Sequence, residues 1–366
     1  MSTAAKLLKL ATVIIITAII HGQAGANVYK FTTADSLAAA IPVNMTYHAD
    51  SLVNYITNRI RDDELVTRTI FKWIANNIGY RTPKHKIDRN LLTLAEDSAK
   101  ILQTRRGVCE DYSKLFKHLC NKAGIQMEVV TGMVNIFGEI PKEGHAWNAG
   151  FVNGQWKLYD VTWAAGYVAG NKFTFSYNEF YFDTPPDSFV LNHLPSDYMW
   201  QLLPYPKHNY TFYKSKKHAP IPYTNVDSLL ESYFKADSMQ RIDQTLGRMK
   251  MGGISHAAIQ DDYDYALNVK TYYEKTTYHY HYAKAYEAYV SAFNIIGALE
   301  RLPPQAIGEE TLQGKKNKEA QQMITEAQST IKVCLSIIPK PDTAITSLRA
   351  ALNNLNHRLN QLNAKK

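Results

Sequence analysis

Residues 107–124 read GVCEDYSKLFKHLCNKAG, and this stretch decides the fold of the first half of the chain. Its apolar side chains recur at helical spacing from Cys109 to Ala123, and Gly124 is a residue type that commonly ends a helix. The positive end of the helix dipole lowers the pKa of a thiol at the first helical position, which favours the thiolate. Cys120 lies on the same face, about 16 Å further along at 1.5 Å per residue. The pattern predicts a reactive thiol at Cys109 and a core thiol at Cys120, with a plain buried cysteine as the alternative for Cys109.

A β-hairpin downstream of this helix carries two further polar residues. Residues 145–163 have the pattern of two strands joined at Asn153-Gly154, the strongest short hairpin signal. A turn centred there places His145 opposite Thr162, and it makes His145 and Asp160 diagonal neighbours on one face, within roughly 7–8 Å at the backbone. A carboxylate at that distance can hold one imidazole nitrogen and leave the other directed at a thiol. The spacing therefore predicts two members of a catalytic triad, although a histidine that is merely satisfied in the core is the alternative.

Four sequence strings resemble the transglutaminase-like superfamily, particularly its kyphoscoliosis-peptidase and cytokinesis-associated branch. They are FKWIANNIGY at 71–80, GVCEDYSKLFKHLCNKAGI at 107–125, GHAWN at 144–148 and WKLYDVTW at 156–163. The resemblance extends through the tail at 182–203 and places the nucleophile, histidine and aspartate of the family on Cys109, His145 and Asp160. It implies an α+β, papain-like transglutaminase core, in which the Cys-bearing helix packs on an antiparallel sheet. The superfamily includes cross-linking enzymes, peptidases, amidases and inactive members, so the fold does not fix one reaction.

Aromatic residues supply candidates for the oxyanion site and the cleft. The backbone N–H of Cys109 is a natural donor to an oxyanion that develops at a helix start. Tyr80, which follows an upstream helix, is a candidate second donor, and a packing tyrosine at a helix exit is the alternative. Trp147 shares a strand face with His145 and is expected to wall the cleft, whereas Trp163 is expected to pack in the opposite layer.

The N-terminus has the features of an export signal. Lys6 and Lys9 precede an apolar run from Leu10 to Ile20, and Ala24-Gly25-Ala26 offers a small-residue cleavage site. The run is much shorter than the roughly twenty residues that span a bilayer. We therefore expect residues 1–26 to be a signal peptide and the mature protein to be periplasmic or extracellular, without stable membrane insertion. A retained N-terminal anchor is the alternative.

The rest of the chain divides into two regions. Residues 27–215 are expected to form the transglutaminase-like domain, which includes a helix predicted over 63–79. Residues 204–222 are rich in proline and basic side chains, as in a linker. Long amphipathic stretches between proline breaks then predict an all-α helical domain over 216–366.

Composition bears on several classes of partner. The chain has a formal net charge of +8 at pH 7, but its basic residues are scattered instead of clustered on one face, so no nucleic-acid partner is expected. Three cysteines are odd in number and too few for a disulfide framework. His279 and His281 are two residues apart and would point in different directions on a helix, which suits no metal, and neither a metal nor a cofactor is expected.

The expected function is thiol-dependent amide-bond chemistry on a protein or peptide substrate. A cysteine peptidase or amidase and a transglutaminase-type acyl transferase share this chemistry, in which Cys109 attacks, His145 moves the proton and Asp160 orients the imidazole. Hydrolysis is favoured because water is the default acceptor and no calcium-loop pattern is evident. One alternative is a catalytically inactive transglutaminase-like binding module, with the helical C-terminal region as the surface for a partner protein. A cell-wall endopeptidase is a second alternative, but its usual Asp-Cys-Ser-Gly neighbourhood is absent around Cys109.

Overall fold

The computed structural model describes residues 30–82, 94–212, 220–254, 256–301, 312–337 and 343–364. These residues divide into two units: the first runs to residue 237 and includes 244–264, and the second comprises 238–243 and the residues from 265 onward. The expected export signal at residues 1–26 lies outside the described residues. Among the helices that the structure does describe, none combines the length and the apolar character needed to cross a membrane.

Helices form one layer of the first unit. They are α1 (Thr32–Ala40), α2 (Ala49–Thr57), α3 (Asp63–Asn77), α4 (Leu94–Thr104) and α5 (Cys109–Lys122). The predicted helix over 63–79 is confirmed, but it ends two residues early because Ile78 takes an extended conformation and Gly79 enters a strand. Helix α5 begins at Cys109 as predicted, and Gly124 follows its end with a φ of 84°.

A four-stranded antiparallel sheet forms the other layer. The strands of the unit are β1 (Gly79–Tyr80), β2 (Arg106–Gly107), β3 (Met127–Val134), β4 (His145–Val152), β5 (Gln155–Tyr159), β6 (Gly166–Ala169), β7 (Lys172–Phe175) and β8 (His193–Pro195). The main sheet has the order β5-β4-β3-β8, while β1–β2 and β6–β7 form separate pairs. The parallel β1–β2 pair joins Tyr80 to Gly107, which brings Tyr80 close to the start of α5.

The register predicted for the β4–β5 hairpin is confirmed. Val152 pairs with Gln155 and Asn148 with Tyr159. Asn153 and Gly154 both have positive φ, 52° and 79°, as a type I′ turn requires.

The second strand of this hairpin is shorter than predicted. It ends at Tyr159, and Asp160 instead caps a short helix, α6 (Val161–Ala165). The Asp160 carboxylate accepts hydrogen bonds from the backbone N–H groups of Thr162 and Trp163, each at 2.9 Å, which is the geometry of a helix N-cap. The prediction that Thr162 lies opposite His145 in a strand pair is therefore wrong.

Aromatic packing holds the helical layer on the sheet. The rings of Phe71 in α3, Phe116 in α5 and Tyr159 in β5 lie 5.6–6.2 Å apart, and all three side chains are fully buried. Cys120 lies in the same core with no exposed surface, which confirms its interpretation as a core thiol. This packing fixes α5 against β4 and β5, the elements that carry or adjoin His145 and Asp160.

The first unit extends beyond residue 215, where the sequence analysis placed the end of the domain. The next helices are α7 (Pro186–Phe189), α8 (Val226–Lys235) and α9 (Ser238–Gly252). Phe234 of α8 stacks on Trp156, with ring centroids 5.4 Å apart and planes 5° from parallel. Arg248 of α9 donates hydrogen bonds to the buried carboxylate of Asp197, including one from Nη2 at 2.7 Å. The expected boundary at 215 differs from this division because these non-local contacts are invisible in local composition.

A chain that ends at residue 215 should be much less stable than a chain that ends at residue 264. The shorter chain lacks Arg248, which pairs with the buried carboxylate of Asp197, and losing one partner of a buried ion pair costs about 3–5 kcal/mol. It also exposes Trp156. Urea unfolding followed by tryptophan fluorescence measures the difference. Equal midpoints for the two truncated chains would show that the C-terminal helices are not part of the core of this unit.

The second unit is helical, as predicted for the C-terminal region. It contains most of α10 (Ala257–Leu299), together with α11 (Leu312–Ile337) and α12 (Thr343–Ala364). Apolar side chains from the three helices form one buried cluster that includes Ile296, Ile324 and Leu352. Cys334 belongs to the same cluster and has no exposed surface, so this cysteine is a core residue.

Candidate active site

Cys109 is held at the start of α5 by a tight local arrangement. The backbone N–H of Val108 donates a hydrogen bond of 2.8 Å to the Asp111 carboxylate, which closes the first turn of the helix. Gly107 makes room for this contact, because a Cβ at that position would lie 2.5 Å from Cβ of Asp111. Cys109 itself is half-buried and unbridged. The dipole of a 14-residue helix therefore acts on a thiol that retains some exposed surface.

His145 opens strand β4 and contacts both other predicted triad members. Its Nε2 lies 2.7 Å from Oδ2 of Asp160, and its side chain forms a hydrogen bond with the Cys109 thiol. Nε2 faces Asp160, so the other ring nitrogen, Nδ1, is the one available to the sulfur. The structure thus brings His145 and Asp160 into direct contact, and the catalytic role of Cys109 stays a prediction.

Burial and pairing act in opposite directions on the Cys109–His145 pair. Burial alone raises the pKa of the Cys109 thiol, but the hydrogen bond and the charge of His145 hold that pKa below its ordinary value. Burial opposes the charge of His145, yet Asp160 and Cys109 together raise its pKa to about 10. Cys120 provides a contrast, because burial without a partner raises its pKa. The site therefore favours a thiolate–imidazolium pair at neutral pH.

Asp160 is a fully buried carboxylate with four hydrogen-bond donors. Oδ1 accepts the two backbone N–H groups at the start of α6, and Oδ2 accepts from His145 and from a second histidine, His193, at 2.9 Å. Burial by itself raises the pKa of Asp160, but attraction to His145 and the hydrogen bonds from both histidines hold it well below its usual range. Asp160 is thus an anion at any pH near neutrality.

Sequence reasoning missed His193. It lies in β8, which pairs with β3 through Met133 and Leu194, some sixty residues apart in the chain. Its side chain has no exposed surface. The string that contains it was part of the resemblance, but a lone histidine in a short apolar segment gives no local signal of a contact with Asp160.

Tyr80 lies beside the start of α5, and its role as a donor to an oxyanion stays a prediction. Its hydroxyl is hydrogen-bonded to the backbone amide of Cys109, and burial together with the nearby negative groups raises its pKa. The ring packs 6.4 Å from Tyr112 and 6.4 Å from Phe173 of strand β7. The hydroxyl is therefore held at the position where an oxygen atom bound to the Cys109 amide would lie.

The two tryptophans differ from expectation. Trp147 lies 6.0 Å from the His145 ring but is only 1% exposed and packs against Phe189 and His193. Trp147 therefore packs beside the His145 ring in the protein interior and does not line an open cleft. The expectation for Trp163 is wrong, because the turn into α6 carries its ring to 5.3 Å from that of His145.

The donor atoms of His145, Asp160 and His193 lie within 4.8 Å of one another. Two nitrogens and a carboxylate oxygen are a donor set that suits Zn²⁺. Both imidazoles, however, already direct an Nε2 at the same carboxylate oxygen, and those two hydrogen bonds account for the close approach of the three groups.

The chain is similar in sequence to known proteins of the transglutaminase-like superfamily. The transglutaminase-like superfamily model matches residues 50–161. Kyphoscoliosis peptidase from Mus musculus is 35% identical over 190 residues, covering 50% of this chain and 28% of that protein. The protein of the same name from Homo sapiens is 36% identical over 167 residues, covering 43% and 25%. The chain thus spans about a quarter of the length of these curated relatives.

A solved structure described as a TGase is also similar to the chain. It is 18% identical and covers 63% of this chain and 53% of that one, with a TM-score of 0.30. The helix that begins at Cys109, the antiparallel sheet beside it and the family match lie in the same part of the sequence. Residues 50–161 therefore belong to the transglutaminase-like superfamily, as the sequence strings indicated.

Proposed function

We propose that the first unit catalyses thiol-dependent attack on an amide bond of a protein or peptide. The observation that carries the proposal is the pair of contacts made by one imidazole, which bonds to the Cys109 thiol on one side and to the Asp160 carboxylate on the other. A core cysteine needs no such partner, as Cys120 illustrates.

The side chains support a two-step acyl transfer. The Cys109 sulfur attacks the carbonyl carbon, and the electrons of the C=O π bond move onto the oxygen. His145 then gives the proton on its Nδ1 to the leaving nitrogen as the C–N bond breaks, which leaves a thioester on Cys109. An acceptor, either water or an amine, loses a proton to His145 as it attacks the thioester and releases the thiolate.

The oxygen that becomes negative needs donors in fixed positions. The Cys109 amide is one, at the N-terminus of α5, and Tyr80 already bonds to it. The substrate oxygen would replace the Tyr80 hydroxyl as acceptor of this N–H, and the displaced hydroxyl would donate to the same oxygen. Two such donors stabilise a tetrahedral intermediate more than water does, because they are already oriented when the charge develops.

Hydrolysis and transfer to an amine differ only in the acceptor, and we favour hydrolysis because water is present at every turnover. A catalytically inactive binding module is the second candidate. The depressed pKa of Cys109 argues for chemistry, since a docking surface gains nothing from a thiolate in a half-buried position.

Iodoacetamide alkylation distinguishes these candidates. Cys109 should react fastest, while Cys120 and Cys334, which have no exposed surface, should stay protected in the folded protein. Burial alone can produce that ranking, so the pH dependence is decisive. The rate at Cys109 should remain high below the ordinary thiol pKa of about 8.5, because His145 keeps the sulfur ionised there. A rate that rises tenfold per pH unit between pH 6 and 8 would indicate an unactivated thiol and favour the binding module.

A further inference from the structure

His193 is an imidazole enclosed by rings and lacking any exposed surface. The ring of Phe189 stacks on it at 4.1 Å, and those of Trp163 and Trp147 lie at 4.5 and 5.1 Å. Burying a polar group in such a place costs free energy unless it is hydrogen-bonded. Both of its nitrogens have a polar partner, Nε2 with Oδ2 of Asp160 at 2.9 Å and Nδ1 with Oδ1 of Asn192 at 2.7 Å.

The partners define the protonation state of His193. The Asp160 carboxylate only accepts, so Nε2 carries a proton and donates it. Burial lowers the pKa of His193 to about 4, even though Asp160 acts in the opposite direction, so the ring is neutral and Nδ1 is an acceptor. The structure places Oδ1 of Asn192 at Nδ1, so a neutral ring requires this amide to be turned about, with its NH₂ group donating to Nδ1. The titratable groups near the ring are Asp160, His145 and Tyr181, and the last of these bonds to Asn192.

The N–H of His193 constrains the Asp160 carboxylate, which also bonds to His145. Oδ1 is fixed by two backbone N–H groups, but His145 alone would fix Oδ2 from one side only. His193 supplies the opposing N–H, so Oδ2 cannot rotate away from the line to His145 without losing a buried hydrogen bond. A neutral donor achieves this without placing a second positive charge beside the imidazolium.

We propose that His193 is a positioning residue, which acts through Asp160 to hold His145 in the orientation that ionises Cys109. The inference rests on the proposed function, because it assigns His193 a role in the same thiol activation. It extends the site from three side chains to a linked set that runs from Cys109 through His145 and Asp160 to His193.

Two substitutions in the 366-residue chain test this role. His193→Phe keeps an aromatic ring in the enclosure but removes the donor, and His193→Gln retains an N–H near the position of Nε2. The Phe variant should raise the apparent pKa of Cys109, measured from iodoacetamide alkylation against pH, by about one unit, which is a tenfold slower reaction below that pKa. The Gln variant should restore most of the rate. Phe189→Leu is the matched control, since it alters packing on the same ring without touching Asp160, and its titration should match that of the wild type.

Several outcomes would contradict the inference, and they differ from failure of the proposed function. A folded His193→Phe protein with an unchanged or lowered Cys109 pKa would show that the second donor does not position Asp160. The same conclusion follows if Phe and Gln behave alike in folded proteins. If Cys109 of the wild type titrates like an ordinary thiol, the proposed function itself fails.

A measurement on the unsubstituted protein keeps the test decisive if the variants do not fold. Long-range ¹H–¹⁵N NMR of histidine-labelled protein should show His193 neutral and protonated on Nε2 throughout pH 5–8. A ring protonated on Nδ1 alone, or a cationic ring in that range, would overturn the assignment of His193 as a neutral donor to Asp160.

Discussion

Cys109→Ala is expected to abolish the burst of p-nitrophenol that the protein releases from p-nitrophenyl acetate. This ester transfers its acyl group to an activated thiolate, so it reports on the first half of the proposed reaction without knowledge of the natural substrate. The loss should be complete because the proposed covalent intermediate forms on the Cys109 sulfur. Cys120→Ala is the matched control: it removes a thiol from the same helix, in the core, and should retain the burst.

Serine at position 109 sharpens the same test. Cys109→Ser keeps the size of the side chain and a polar atom beside His145, but its hydroxyl has a far higher pKa than a thiol and stays protonated. We expect no burst from this variant either. A burst of wild-type size from Cys109→Ala would assign the acyl transfer to another residue and remove Cys109 from the mechanism.

Asp160→Asn is expected to have the second largest effect, a loss of about 10²–10⁴ in the acylation rate. The amide can still accept the N–H groups of Thr162 and Trp163 through one oxygen, so α6 should keep its N-cap. Its NH₂ group, however, would face two imidazole N–H donors instead of accepting from them. His145 must then rotate, change tautomer or lose its charge.

The sign of the accompanying pH shift follows from the charges. Asp160 supports the imidazolium, so its loss lowers the pKa of His145, and the weakened imidazolium then raises the pKa of Cys109. Stopped-flow acylation between pH 5 and 9, with circular dichroism as the check on folding, measures both the rate and the shift. An Asp160→Asn protein that is folded and has an unchanged pH profile would show that Asp160 does not orient His145.

Local features of the sequence were enough to predict much of this site. The start of α5 follows from the apolar spacing after Gly107, and the β4–β5 register follows from the Asn153-Gly154 turn. Both depend on neighbours within a few residues, where helical and strand periodicities are most informative. The approach of His145 to Asp160 was predicted from a longer strand pair, whereas Asp160 in fact reaches His145 from the N-cap of α6, one residue beyond β5.

Sequence reasoning missed two kinds of contact. In one, a side chain caps a helix where the local propensity favours a strand; in the other, the two residues lie far apart in the chain. Val161 and Thr162 are β-branched and favour a strand, but the Asp160 side chain competes by capping the next two free N–H groups, and a helix results. This turn also moves Trp163 to the His145 side. His193 reaches Asp160 only through the β3–β8 pair, and Phe234 reaches Trp156 from a helix about eighty residues later. The periodicity of apolar residues within one helix or strand carries no information about contacts between residues so far apart in the chain.

The central claim is that Cys109 is an activated nucleophile, and the location of the acyl group tests it most directly. The protein would be mixed with p-nitrophenyl acetate at pH 6, where an ordinary thiol is almost fully protonated, then quenched in acid, digested and mapped by mass spectrometry. The account predicts one acetyl group per chain, on Cys109, formed before appreciable acetylation of any lysine. An unmodified Cys109 in folded protein, with acetyl groups only on lysines, would contradict it.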